Sequence, residues 1–222
     1  MSPVRQLFSD NFNSDDAVFR QIADGLTRQG YCVIPGALPE DISDALLSEI
    51  ITDGTGHFKA AGVGRQDDYL QSHFIRRDNI HWIDGRTAAE QLWLQWTQKL
   101  QTFLNRELFL GLFSFETHWA HYQPGSFYKK HCDAFRGEAN RIVTVIGYLN
   151  PGWTVEDGGD LVIYREDSDD ILTKVMPAFG TLVVFMSEEF PHEVQIAHKH
   201  RYSVTGWFRL NSSTEYKVDP PK

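Results

Sequence analysis

Hydrophobic positions along the chain fall into two regimes, with the change near Gly111. Before it, apolar residues recur at helical spacing. Val18, Phe19, Ile22, Ala23 and Leu26 share one face of a helix expected from Ser14 to a stop at Gly30. Tyr31-Cys-Val-Ile34 reads as a short strand closed by Pro35-Gly36. A second helix is expected from Pro39, taken as its first helical residue, with Ile42, Ala45, Leu46 and Ile50 on one side. Residues 53–68 carry four glycines and little periodicity, which predicts a mobile loop. Residues 69–74 and 80–83 read as two arms of a hairpin around Arg76-Arg77-Asp78-Asn79. Thr87-Ala-Ala-Glu90 has the form of a capping box opening the longest helix, which is expected to end near Leu108. Leu92, Trp93, Trp96, Leu100, Phe103 and Leu104 form its apolar face.

Beyond Gly111 the period shortens. Strand-like segments follow at residues 115–122, 127–133, 142–149, 160–165, 171–175, 181–186, 192–196 and 202–210. A run of strands after a helical opening predicts an α+β fold, mainly β, built as a sandwich or barrel with helices on one side. The polar residues 1–13 are expected to be loosely ordered, and residues 166–170 to form a solvated acidic turn.

Composition narrows the possibilities. At 222 residues and 41% hydrophobic, the chain can bury a sizeable core. A formal net charge of −9 disfavours a broad phosphate-binding surface, so no nucleic-acid partner is expected. The two cysteines, Cys32 and Cys132, imply neither a disulfide framework nor a Cys-x-x-Cys zinc site. The N-terminus lacks an apolar signal core and no run of about 18 apolar residues occurs, so a soluble, cytoplasmic protein without a membrane segment is expected.

The candidate chemistry centres on His131-Cys132-Asp133. On a strand, residues two apart point the same way, so His131 and Asp133 present an imidazole and a carboxylate to one point. His192 is the candidate third donor, and two histidines plus a carboxylate form the open facial set of non-haem Fe(II) oxygenases. Arg201 follows nine residues after His192 on another strand-like segment. A metal centre followed by a buried cation suits a dicarboxylate co-substrate, its 2-oxo acid end on the metal and its far carboxylate in the fork of a guanidinium.

Several ordered motifs then resemble the Fe(II)/2-oxoglutarate dioxygenases, and within them the prolyl 4-hydroxylase branch, near the oxygen-sensing prolyl hydroxylase domain enzymes and their bacterial relatives. They are Tyr122-Gln-Pro-Gly-Ser-Phe-Tyr128-Lys-Lys-His131-Cys132-Asp133, then Arg141-Ile-Val-Thr-Val-Ile-Gly147-Tyr148-Leu-Asn150-Pro-Gly-Trp153. Glu156-Asp-Gly-Gly-Asp-Leu, Gly180-Thr-Leu-Val-Val-Phe, Pro191-His192-Glu-Val and Arg201-Tyr-Ser-Val-Thr205-Gly-Trp207-Phe complete the set. The resemblance implies a double-stranded β-helix (jelly-roll) core at 111–211, helices and a substrate-side hairpin at 1–110 in the same domain, and a tail at 212–222. It implies that His131, Asp133 and His192 hold iron and that Arg201, Tyr148, Tyr122 and Thr205 bind 2-oxoglutarate. It also places Tyr128, Arg76, Asp78, Trp82 and Trp207 on the substrate side. The implied reaction turns 2-oxoglutarate and O2 into succinate and CO2 while a prolyl residue becomes hydroxyproline. Ascorbate is the implied reductant, and a protein the implied substrate, with elongation factor Tu the leading candidate. No side chain is needed as a general acid or base. The chain departs from the animal oxygen sensors at Gly147, where they carry a bulky aromatic, and a wider pocket is expected there.

Two rival readings remain at this point. The same iron chemistry can act on a free amino acid, another small molecule or an alkylated base, the last disfavoured by the acidic charge. A non-enzymatic metal-binding β-barrel can also carry histidines and a carboxylate, although it has no need of Arg201.

Overall fold

A computed structural model describes residues 14–54, 56–61, 75–134 and 140–211. The first helix, α1 (Ser14–Gln29), carries Asp15 and Asp16 in its first turn and Arg28 in its last, matching the helix dipole. It ends at Gly30, whose φ of +77° favours glycine, and a Cβ there would lie 2.7 Å from the Phe190 ring. Strand β1 (Tyr31–Ile34) follows at once. Helix α2 (Glu40–Asp53) starts one residue later than expected, because Pro39 has extended backbone (ψ 136°) and stands at the N-cap. Helix α3 (Ala88–Leu108) is capped by Thr87, whose hydroxyl accepts from the Glu90 amide. The Glu90 carboxylate reaches back to the Arg86 amide (2.7 Å), one residue beyond the capping-box partner. Trp93, Leu100 and Leu104 are fully buried, but Leu92 is exposed on the far side of the helix.

The strands form two antiparallel sheets. The larger has the order β1, β9 (Leu182–Met186), β6 (Arg141–Tyr148), β11 (Arg201–Arg209), β4 (Ser114–Tyr122), β3 (Asp78–Trp82) and β2 (Lys59–Ala60). The smaller has the order β5 (Tyr128–His131), β10 (His192–Val194), β7 (Leu161–Tyr164) and β8 (Ile171–Val175). All eight strands expected after Gly111 are present, and the layout is that of a jelly roll with helices on one sheet. Among the described residues no helix is long and apolar enough to cross a membrane.

Two local expectations change. The hairpin arm expected at 69–74 lies outside the described residues. The other arm, β3, begins at Asp78 and pairs with β4 and with β2, the latter inside the stretch expected to be loop. A two-residue strand is too short to show alternation. The second change concerns Gly147. Alternation along β6 sends Tyr148 inward and Gly147 outward, where a Cβ would lie 3.0 Å from Leu38 and 3.2 Å from Val204. Gly147 therefore makes room for the helix-side core and does not widen the pocket.

Two apolar clusters result. One lies between the helices and the outer face of the large sheet and includes Trp93, Leu100, Val143, Val145, Val204 and Phe208. The other lies between the sheets and includes Tyr122, Ile146, Tyr148, Ile163 and Phe185. The candidate site opens into this second cluster.

Candidate metal and co-substrate site

Strand register brings the two histidines together. β10 pairs with β5 so that His192 lies opposite His131, with ring centroids 4.4 Å apart. β5 ends at His131, so Asp133 is not on the strand, and the alternation argument does not place it. A bend after the strand turns its carboxylate back instead. Asp133 Oδ1 lies 3.7 Å from Nε2 of both His131 and His192. The three ligand atoms fall within 4.8 Å of one another, a spacing that can hold one metal ion.

Hydrogen bonds fix the chemical state of these donors. His131 Nδ1 faces the Lys129 carbonyl (2.7 Å) and His192 Nδ1 faces the Phe190 carbonyl (2.9 Å). A carbonyl only accepts, so each Nδ1 carries a proton and Nε2 is the atom that each ring, when neutral, offers to a metal. Burial, reinforced by the neighbouring His192, holds the His131 imidazole neutral well below its ordinary range. Burial alone would raise the Asp133 carboxyl, but His192, His131 and Arg141 together hold it below the usual carboxylate range. Two neutral imidazoles and one carboxylate are what a divalent iron site needs. Tyr128 stacks on His131 at 3.5 Å between centroids and restrains its ring.

The second half of the site lies on β11. Arg201 is buried at 2% exposure, opposite Tyr122 in the β4 register. Its Nε donates to the Gly159 carbonyl (2.9 Å), and its guanidinium lies 4.9 Å from the centroids of both Tyr122 and Tyr148. Among the described residues no carboxylate forms an ion pair with it. The Tyr148 hydroxyl beside it is buried without a hydrogen-bond partner. A buried cation without a counter-ion costs several kcal/mol, about 3–5, unless a ligand supplies the charge. An orphaned donor next to it fits the carboxylate of 2-oxoglutarate. Burial pushes the Tyr148 hydroxyl up to about 12 and raises that of Tyr122 well above the usual phenol range, so both phenols are donors and not bases. Thr205 and Trp207 follow Arg201 on the same strand face by alternation.

The expected substrate-side residues divide. Arg76 is forked onto Asp78 (Nε–Oδ1 2.7 Å) and lies over the Tyr128 ring at 4.3 Å. Backbone bonds from Arg77 to Phe127 (3.0 Å) and from Lys129 to Ile75 (2.9 Å) tie this segment to β5, so the three side chains form one wall beside His131. Trp82 sits at the other end of β3, opposite His118, roughly 13 Å along the strand from Asp78. The structure does not bring it to the metal point. Trp207 is buried under the Arg141 guanidinium (3.7 Å), opposite Thr144 in the β6 register.

Sequence reasoning missed Thr144, whose hydroxyl donates to Asp133 Oδ2 (2.8 Å). Its place four residues before Tyr148 on an alternating strand was a usable signal. It also missed Glu116, which accepts from Arg141 (2.7 Å) and faces Arg209 (3.4 Å), holding the Arg141 cover over Trp207. Cys132 is exposed and free, and partial burial with the charges of Asp133 and Glu166 raises its thiol, so little thiolate exists to react.

Comparison with known proteins identifies the family. Residues 117–209 match the 2OG-Fe(II) oxygenase superfamily. The chain is 25% identical to human prolyl hydroxylase EGLN3, over 81% of this chain and 78% of that protein. Its fold is similar to the crystal structure of a Pseudomonas putida prolyl-4-hydroxylase, with 37% identity, TM-score 0.78, and coverage of 87% of this chain and all of that one. It is also similar to a Trichoplax adhaerens prolyl hydroxylase in complex with a hypoxia inducible factor peptide fragment. That match has 28% identity, TM-score 0.76, and coverage of 89% and 91% of the two chains.

Proposed function

Since the chain belongs to the 2OG-Fe(II) oxygenases, close to the prolyl hydroxylases, we propose that it hydroxylates a prolyl residue of a protein substrate. The observation that carries this reading is the presence of two half-sites in one fold. Three candidate metal donors converge on β5, β10 and the bend after β5, and buried Arg201, with no carboxylate ion pair among the described residues, stands beside the buried Tyr148 hydroxyl. Similarity along the full length of the Pseudomonas prolyl-4-hydroxylase and to the peptide-bound Trichoplax enzyme supports a polypeptide substrate.

His131 and His192 would hold Fe(II) through Nε2, and Asp133 would hold it through its carboxylate. When bound, the iron supplies the redox chemistry that couples decarboxylation of 2-oxoglutarate by O2 to hydroxylation of a C–H bond. One oxygen atom of O2 enters succinate and the other enters the hydroxyl group, with CO2 released. Arg201 and Tyr148 grip the distal carboxylate of 2-oxoglutarate, and Tyr122 and Thr205 close the pocket around it. The apolar rings between the sheets exclude water, which strengthens the guanidinium–carboxylate pair. The wall of Arg76, Asp78 and Tyr128 lies where a peptide must pass, with Trp207 flooring the Asp133 side. No side chain takes a proton in this scheme.

Among protein substrates we place elongation factor Tu first, from the resemblance to bacterial relatives, with ascorbate as auxiliary reductant and the cytoplasm as the working compartment. The test is intact-mass analysis of host proteins after anaerobic loading with Fe(II) and 2-oxoglutarate and then exposure to air. A gain of one oxygen atom mapped to a prolyl residue supports the reading. Succinate formed with free proline or another small molecule, and never with a protein, overturns the choice of substrate.

A further inference from the structure

Behind Asp133 stands a pair of buried hydroxyls. Thr144 on β6 and Ser187, one residue past β9, are both fully buried. β6 and β9 pair with Thr144 opposite Phe185 and Val143 opposite Met186, and the Ser187 amide donates to the Ile142 carbonyl (2.9 Å). This register sets Ser187 Oγ 2.9 Å from Thr144 Oγ1, which in turn lies 2.8 Å from Asp133 Oδ2.

The direction of the chain follows from counting protons. A hydroxyl has one proton to give, and an ionised carboxylate only accepts. The Thr144 proton therefore goes to Asp133 Oδ2. Toward Ser187, Thr144 has only acceptor capacity left, so Ser187 donates to it. The relay runs from Ser187 through Thr144 to Asp133, and each donation polarises the next. With Oδ2 occupied by a charge-assisted bond, Oδ1 is the oxygen left facing both histidine Nε2 atoms at 3.7 Å.

We propose that Thr144, backed by Ser187, is a positioning residue that restricts Asp133 to one ligating oxygen and so keeps the metal's remaining positions open for co-substrate and O2. The proposal rests on His131, Asp133 and His192 being the metal ligands. Losing the Thr144 hydroxyl frees Oδ2 to swing toward the metal or to seek another donor, and either change loosens the geometry.

The test is Mn(II) binding to the apoprotein without co-substrate, read from the electron paramagnetic resonance signal of the free ion. Thr144→Val is expected to weaken binding roughly 10–100-fold, the usual effect of removing a partner that orients a ligand. Thr144→Ser restores it to within about threefold of wild type, by the same reasoning. Ser187→Ala has a smaller effect, and none in the Thr144→Val background, because Ser187 reaches the carboxylate only through Thr144. Unchanged affinity in folded Thr144→Val overturns the proposal. If that variant does not fold, Ser187→Ala decides, and wild-type affinity there overturns the relay. Failure of the metal assignment is distinguishable, because Mn(II) would then bind Asp133→Ala as well as wild type, or would not bind wild type.

Discussion

Along β11, Tyr202, Val204 and Phe208 turn toward the helices, while Arg201, Ser203, Thr205 and Trp207 turn toward the smaller sheet. The same alternation on β6 separates Val143 and Val145 from Thr144, Ile146 and Tyr148. The two faces share one backbone yet differ in how their polar atoms are satisfied. On the helix side the Trp93 indole donates to Thr117 (3.1 Å), and Thr117 donates to the Thr205 carbonyl (2.9 Å), although Trp119 Nε1 stays unpaired. On the inner side the Tyr148 hydroxyl lacks a hydrogen-bond partner, the Arg201 guanidinium stands beside it, and three side chains are spaced to take a metal ion. One face secures the fold, and the other carries the candidate ligand groups. This separation lets the chemistry tolerate changes that the packing does not, and the reverse.

The sharpest way to test that separation is His131→Ala or Asp133→Ala. Turnover is expected to fall below detection while the unfolding midpoint stays within a few degrees of wild type. Wild-type turnover in either purified variant breaks the metal assignment. Arg201→Ala acts at the other end of the cleft, where loss of one partner of a buried charge pair costs about 2–5 kcal/mol. The apparent KM for 2-oxoglutarate should rise at least about 30-fold, by the same figure. An unchanged KM moves the anchor elsewhere.

The opposite perturbation is Leu100→Ala in the helix-side core, expected to cost about 2–5 kcal/mol in denaturant unfolding with KM unaltered. A cost below about 1 kcal/mol means that the site collapses more readily than its full burial implies. Acid should act in part through the inner face. Burial is the chief cause that lowers His118 to about 4, so in the fold it stays neutral while the unfolded chain protonates at the ordinary histidine value. Between those values the unfolded state binds more protons, and stability falls as pH drops through the window, by up to about 3 kcal/mol. His118→Gln should lose part of that dependence, whereas superimposable stability–pH curves refute it. The smallest effect belongs to Gly147→Ala, which crowds Leu38 and Val204 and should cost roughly 1 kcal/mol without moving KM. A shifted KM instead would mean that Gly147 does face the pocket.

Much of this was legible in the chain. Periodicity located three helices and the eight strands beyond Gly111, because burial of one face leaves a period of 3.6 or 2 in the residues themselves. The two histidines, the carboxylate and Arg201 stood out by type and order. Less visible were the short pairing of β2 with β3, the clasp of Arg76 on Asp78, and the hydroxyls behind Asp133. Each depends on partners far apart in sequence, and a serine or threonine on a strand looks the same whether it touches water or a ligand.

What the sequence determined by itself was the inventory: which segments are helix or strand, which residues share a face, and which side chains can bind a metal or a carboxylate. Only the tertiary structure decided which face lines the cleft. Alternation says that Gly147 and Tyr148 point opposite ways, but the helices of the first half, by covering one side of the large sheet, make one of those ways the pocket. Strand pairing set His192 against His131, and a bend beyond the strand, not strand geometry, turned Asp133 between them. Local sequence specifies local directions. Their meeting point is set by long-range register and packing, whose energy comes from burying surfaces that the sequence keeps apart.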